Sequence, residues 1–258
     1  MENKPIISDV LGIAPYGEAT KLIIQKSLDG IGLILGKICL PVAEEFGLLF
    51  KDKVRIQRLN NFIKIINKSN GKFDFNGDLS NISIHPRILN EVIDSGSWCD
   101  DNTLQEMWAG LIVSSLENGE AKGKNVLFLE SLKKLTPIQA KIIEFACRNC
   151  KIVVYKSGLI LGSDITVTHQ EMMKITGEGD VQQLDAELDN LRANELIGGS
   201  GGFNVKTNPL EAEFCPSTFL LQLYAKTQGH QGLLSEFYMN QIVEEGNADF
   251  KQTNFLVV

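Results

Sequence analysis

Few residues of this chain have the type and spacing to do chemistry. Cys147-Arg-Asn-Cys150 is a CxxC pair, the spacing of half a structural zinc site or of a thiol–disulfide couple. A zinc site needs two further ligands, and His85, His169, His230 and Cys215 stand singly. A redox CxxC follows a strand and opens a helix, whereas this pair ends a predicted helix and precedes a strand. Both cysteines therefore read as buried free thiols, and no metal ligand is assigned. Gly198-Gly-Ser-Gly-Gly202 has the composition of a phosphate-cradling loop. No Lys-Ser/Thr pair follows it and no helix starts after it, so it reads as a hairpin turn. Asp100 and Asp101 precede a predicted helix, where carboxylates complement the dipole. HExxH and paired-carboxylate motifs are absent. No catalytic and no cofactor-binding residue is nominated, and the reading is non-enzymatic.

The charge that surrounds these residues is unevenly spread. The 258 residues are 43% hydrophobic and 22% charged, with a net charge of -7. An acidic balance argues against non-specific nucleic-acid binding by the chain as a whole. Residues 51–72 run the other way, with Lys72 and six earlier cations against Asp52 alone. Those six, Lys51, Lys53, Arg55, Arg58, Lys64 and Lys68, are candidate contacts for an anionic surface. The surface would be an acidic protein, an anionic membrane or nucleic acid. The alternative is a solvated face balanced by acids elsewhere, such as Asp94, Asp100 and Asp101.

The elements that must position these residues fall into two parts. Residues 1–125 read as a helical domain, with helices at 16–28, 41–50, 51–68, 86–94 and 103–116. Segment 28–50 is apolar and amphipathic, but Lys37, Pro41, Glu44 and Glu45 interrupt it, so it reads as core rather than as a constitutive membrane span. In the basic helix Val54, Leu59, Phe62, Ile63 and Ile66 share a face. Residues 67–83 read as loop or ragged extended chain. Ile88, Leu89, Val92 and Ile93 point inward from the next helix, which Gly96 ends. Thr103 and Glu106 match a capping box, and Trp98 and Trp108 read as core aromatics. Residues 117–125 are polar, glycine-punctuated and linker-like. The N-terminus has no apolar signal sequence and the cysteines form no disulfide framework, so the expected location is cytoplasmic.

Residues 126–258 read as a winged-helix-like domain with short β-hairpins and a helical tail. Thr136 and Gln139 cap a helix, residues 152–155 and 159–161 form a hairpin, Thr168 and Glu171 open a short helix closed at Gly177, and 180–194 is a longer helix. A glycine-tipped hairpin follows, with 203–206 as its second strand, and the tail is helical at 218–225 and 233–243. The fold class is mainly α, of the α+β type. The helix that would enter a DNA groove carries Asp180, Asp185, Glu187 and Asp189 against Arg192, the wrong sign for phosphate. A packing or protein-binding module is favoured.

Several stretches together resemble the bacterial abortive-infection alpha family. They are residues 11–21, 41–47 with 51–61, 100–109 containing Leu-Gln-x-x-Trp-Ala, 132–143 containing Leu-x-Pro-x-x-Ala-Lys-Ile, and 185–197. Gly110 stands where the pattern expects a bulkier or more polar residue. The resemblance implies defence against bacteriophage by arrest or death of the infected cell, and it implies no catalytic residue. The function expected is a non-enzymatic defence protein working through a protein partner, self-association or an anionic membrane. The alternatives are a nucleic-acid-binding winged-helix regulator and a structural subunit of a defence or toxin–antitoxin complex.

Overall fold

A computed structural model describes residues 53–72, 82–118, 122–199 and 202–246. The helices expected at 16–28 and 41–50 and Lys51 lie outside them. The described chain is mixed α/β, with several helices and small, mostly open sheets. It divides into two units. One runs to Lys133 and includes Thr227–Gly229, and the other holds Lys134–Lys226 and His230 onward.

In the first unit, α1 (Lys53–Lys72) extends past the predicted end at residue 68. It buries Leu59, Phe62, Ile65 and Ile66, an i, i+3, i+6, i+7 stripe. Val54, expected on that stripe, is 54% exposed, because the stripe begins a turn later. β1 (Ile82–Ser83) is followed by α2 (Pro86–Asp94), whose bounds and inward residues Ile88, Leu89, Val92 and Ile93 are those expected. Its C-cap is Ser95, and Gly96 opens a 3-10 turn, Gly96–Trp98, instead of ending the helix.

α3 (Asn102–Ser114) is buried almost all round, with Trp108 fully enclosed. Its cap corrects the expected box. The carboxylate of Asp101 accepts from the Leu104 N–H at 2.9 Å, and Glu106 turns away to Lys68 and Lys72. Gly110 has a steric reason. A Cβ there would stand 1.7 Å from the carbonyl oxygen of Thr227, so only a hydrogen fits. β2 (Glu117–Asn118) pairs antiparallel with β1. Part of the expected linker is thereby paired, and its last residue, Asn125, is buried, donating to the hydroxyls of Ser114 and Ser115 at 3.1 and 3.0 Å. A 3-10 turn, Lys124–Phe128, leads into α4 (Leu129–Lys134).

The second unit opens with α5 (Pro137–Asn149) behind the expected capping box of Thr136 and Gln139. β3 (Ile152–Tyr155) and β4 (Ile160–Gly162) form the expected hairpin. β5 (Ile165–Thr168) leads through the Thr168–Glu171 box into α6 (His169–Thr176), which Gly177 closes at φ +81°. α7 (Val181–Ala193) buries Leu184, Leu188 and Leu191.

β6 (Ile197–Gly198) and β7 (Phe203–Asn204) do not pair with each other as a glycine-tipped hairpin would. Both lie antiparallel on β8 (Glu211–Pro216), which also pairs with β5. β8 was not predicted, although Ala212, Phe214 and Pro216 alternate inward along it. α8 (Thr218–Thr227) is the first tail helix. The helix expected over 233–243 is only α9 (Leu234–Phe237) and a 3-10 turn at Met239–Gln241. The chain then becomes β9 (Ile242–Gly246), parallel to β3, because Ile242 and Val243 take strand rather than helix conformation there.

Candidate functional site

The register of α1 that buries Leu59, Phe62 and Ile66 leaves Lys53, Val54, Gln57, Arg58 and Asn61 along one flank. Opposite them lies the 3-10 turn carrying Ser97 and Trp98. With Asp100 these residues line an open groove of about 310 Å³. Arg58 builds one wall. Its Nε donates to Ser97 Oγ at 2.9 Å, its outer nitrogen donates to the Ile93 carbonyl at 2.8 Å, and its guanidinium lies 4.5 Å over the Trp98 ring. Ser97 Oγ in turn donates to the Ile93 carbonyl, and Asn61 donates to the Ser97 carbonyl at 3.1 Å. The carbonyl end of α2 is thus satisfied by a cation, as its dipole favours. Trp98, expected in the core, is 58% exposed, because the turn points its ring along the surface under Arg58.

The six candidate cations therefore have different surroundings. Lys51 and the Arg55 side chain lie outside the described residues, although Arg55 itself is helical. Lys53 and Lys64 are exposed. Arg58 is committed to the wall just described. Lys68 donates to Asn102 at 2.7 Å and to Glu106 at 2.6 Å, and Lys72 reaches the same carboxylate at 3.0 Å. Burial pushes the Glu106 carboxyl up, but the two ammonium groups outweigh it and hold it below the ordinary range. The structure brings Lys53 and Arg58 to one groove and spends Lys68 on an ion pair between helices.

The acids of α7 are similarly employed. Asp180 caps the helix, accepting from the Gln182 N–H at 2.9 Å. Asp185 accepts from the Phe203 N–H at 2.8 Å and so fixes β7 against the helix. Glu187, buried, accepts from the Thr136 hydroxyl at 2.9 Å and from Gln183 at 3.0 Å. Asp189 pairs with Arg192 at 2.6 Å.

Cys147 and Cys150 are buried free thiols, as expected. Burial drives Cys147 well above its ordinary value and Cys150 up to about 12, which suppresses the nucleophilic thiolate. Sequence reasoning missed what holds this corner. The Gln241 side chain donates to the carbonyls of Cys147, Arg148 and Cys150 at 2.9–3.1 Å, and the buried Tyr238 hydroxyl donates to the Leu221 carbonyl at 3.1 Å. The only advance signal was the polar-aromatic composition of the tail. The glycine run also spells G-x-S-x-G around Ser200, but a nucleophile elbow needs a strand-to-helix turn, and strands β6 and β7 flank this one.

Among the described residues no group of three or more His, Cys, Asp or Glu is placed to hold a metal ion. No helix among them is long and apolar enough to cross a membrane. No curated protein sequence and no solved structure matches the chain. A family model, abortive infection alpha, matches residues 55–212, from within α1 to the second residue of β8. The match takes in the Arg58 wall, the Asp101 cap, the Thr136 box and the acids of α7, and it covers more than half of the chain. The chain belongs to the abortive infection alpha family.

Proposed function

We propose that this protein is a non-enzymatic, cytoplasmic component of phage defence that acts by contact, with a protein partner, a second copy or an anionic membrane surface. The observation that carries this reading is the groove at the start of α1. Trp98 is 58% exposed and Val54 54% exposed, beside Lys53 and the fixed guanidinium of Arg58. An exposed aromatic set among apolar and cationic groups is the composition of a contact surface. The suppressed thiols and the employed acids support a role without a nucleophile or general acid. Residues 126–258 form, in this proposal, a winged-helix-like scaffold after a helical domain at 1–125. The order α5, β5, α6, α7 and the strands on β8 supports that assignment.

A nucleic-acid-binding regulator is the second reading. The outward residues of α7 include Gln182, Ala186, Asp189 and Asn190, and its one cation, Arg192, pairs with Asp189. Such a face offers little to phosphate. The deciding experiment is phage challenge of cells making the wild-type chain, Trp98→Ala or Lys53→Glu/Lys64→Glu. Loss of protection by about tenfold or more in plaque count, with the variants folded, is expected for contact residues of this kind. Full protection from both variants overturns the reading. Vesicle leakage and a gel shift across salt concentrations separate the membrane and nucleic-acid routes.

A further inference from the structure

Arg58 uses only part of its hydrogen-bonding capacity on the wall beside the groove. Nε and Nη2 donate to Ser97 Oγ and to the carbonyls of Ile93 and Asp94, at 2.9, 2.8 and 3.4 Å. Nη1 keeps two N–H donors with no acceptor among the described residues. Lys53, on the same groove, is exposed and pairs with no acid among the described residues. Beside these donors Trp98 and Val54 leave more than half of their surface uncovered. Asp100, also exposed, is the one acid of the lining.

We infer that the groove receives a segment of a partner protein in which a carboxylate stands beside an apolar side chain. Lys53 and Nη1 of Arg58 take the carboxylate, and Val54 and the uncovered part of the Trp98 ring take the apolar group. The inference rests on the reading of the groove as a contact surface and names the chemistry of the partner. Three points select this occupant. The guanidinium is fixed before anything binds, by its bonds to the wall and its stacking 4.5 Å over Trp98, so little ordering is left for the complex to impose. The lining holds two cations and one acid, which matches a single carboxylate. An anionic membrane or a nucleic-acid backbone brings a row of charges, and Asp100 repels the next of them while Val54 and Trp98 stay uncovered. The volume of about 310 Å³ lies at the low end of the roughly 300–1,000 Å³ of ligand pockets, the scale of a short segment. The acids of α7 are engaged within their own unit, so a second copy of the chain does not offer them.

Selection from a library of random short peptides on the full chain tests this. Retained peptides are expected to carry Asp or Glu next to an aromatic or long aliphatic residue about fivefold more often than the starting pool, the upper end for one exposed ion pair. The chain has two tryptophans and Trp108 is 0% exposed, so titration of the best peptide should move the emission of Trp98. The same peptide with its carboxylate amidated should bind about fivefold more weakly, and added salt should narrow the difference. By calorimetry, Lys53→Gln should weaken the acidic peptide about threefold, and Trp98→Ala should weaken both forms alike. Far-ultraviolet circular dichroism verifies that each variant is folded. A selection without acidic preference, or equal binding of the acidic and amidated peptides, overturns the inference. So does tighter binding of phosphatidylserine vesicles or of an oligonucleotide than of the acidic peptide at the same salt, or self-association of the chain that the peptide does not displace. The phage challenge above reports on the contact surface itself. Loss of protection by Trp98→Ala with no acidic preference in the selection would refute this occupant and leave that reading standing. Acidic selection with full protection from Trp98→Ala would do the reverse.

Discussion

Among the described residues, helices α1 and α7 are both strongly charged, one basic and one acidic, and both read in the sequence as surfaces of one sign. Their fates differ. The acids of α7 are nearly all consumed by the second unit. Asp180 caps, Asp185 holds β7, Glu187 holds the Thr136 cap and Asp189 neutralises Arg192. The cations of α1 divide, with Arg58 and Lys68 consumed by the first unit while Lys53 and Lys64 are exposed. A count of charges along a helix therefore does not describe what it offers a partner. The relevant quantity is the charge left after the fold has used what it needs.

Glu187→Ala should show the largest effect. It removes a buried carboxylate that accepts from the half-buried Thr136 hydroxyl and the exposed Gln183 amide, a loss of about 2 kcal/mol measurable by urea unfolding. A change near zero would return Glu187 to the class of solvated acids. Arg58→Ala follows at about 1.5 kcal/mol, since the wall is half-buried. Both tryptophans lie in the first unit, so their fluorescence should register Arg58→Ala directly. Glu106→Gln should remove an acid sensitivity. The folded carboxyl is held below its unfolded value, so its stabilisation is complete above about pH 4.3 and drains away as pH falls through the folded value. Its side chain is 36% exposed, which keeps the effect below about 1 kcal/mol after solvent screening. The smallest change is Lys53→Ala/Lys64→Ala, within about 0.5 kcal/mol of wild type. If that pair destabilises the first unit, the division of α1 into used and unused cations is wrong.

What could be read in advance follows the same division between local and distant partners. The Thr136 and Thr168 caps, the Gly177 stop and the bounds of α2 depend on residues within one turn of each other, and the sequence carried them intact. The Thr103–Glu106 box has the same local pattern, yet Asp101 takes the cap and Lys68 and Lys72, more than thirty residues earlier, take Glu106. β8 has the alternation of a strand, but its identity as the centre of a sheet comes from β5, β6 and β7, none of which is its immediate neighbour in a simple hairpin pattern except β7. Trp98 is a core residue by composition and a surface residue by geometry, and only the Arg58 stack, forty residues away in sequence, distinguishes the two. Of the residues that line the candidate site, Lys53 and Arg58 were thus visible as candidate contacts. Val54 and Trp98 read as core and Asp100 as an acid at a helix start, while Gln57, Asn61 and Ser97 carried no signal.

The space beside Gly110 has a consequence for dissecting the chain. Thr227–Gly229, whose backbone closes over that glycine, belong to the first unit although more than ninety intervening residues belong to the second. The first unit is thus built from two stretches of chain far apart in sequence. A truncation after Lys133 would therefore excise a piece of the first unit's own interior and expose the α3 backbone at Gly110. A protease nick within 134–226 would leave that piece held by non-covalent contact alone. The first unit becomes whole only after Thr227–Gly229 have been synthesised, more than ninety residues past Lys133, so its completion is not set by its own length.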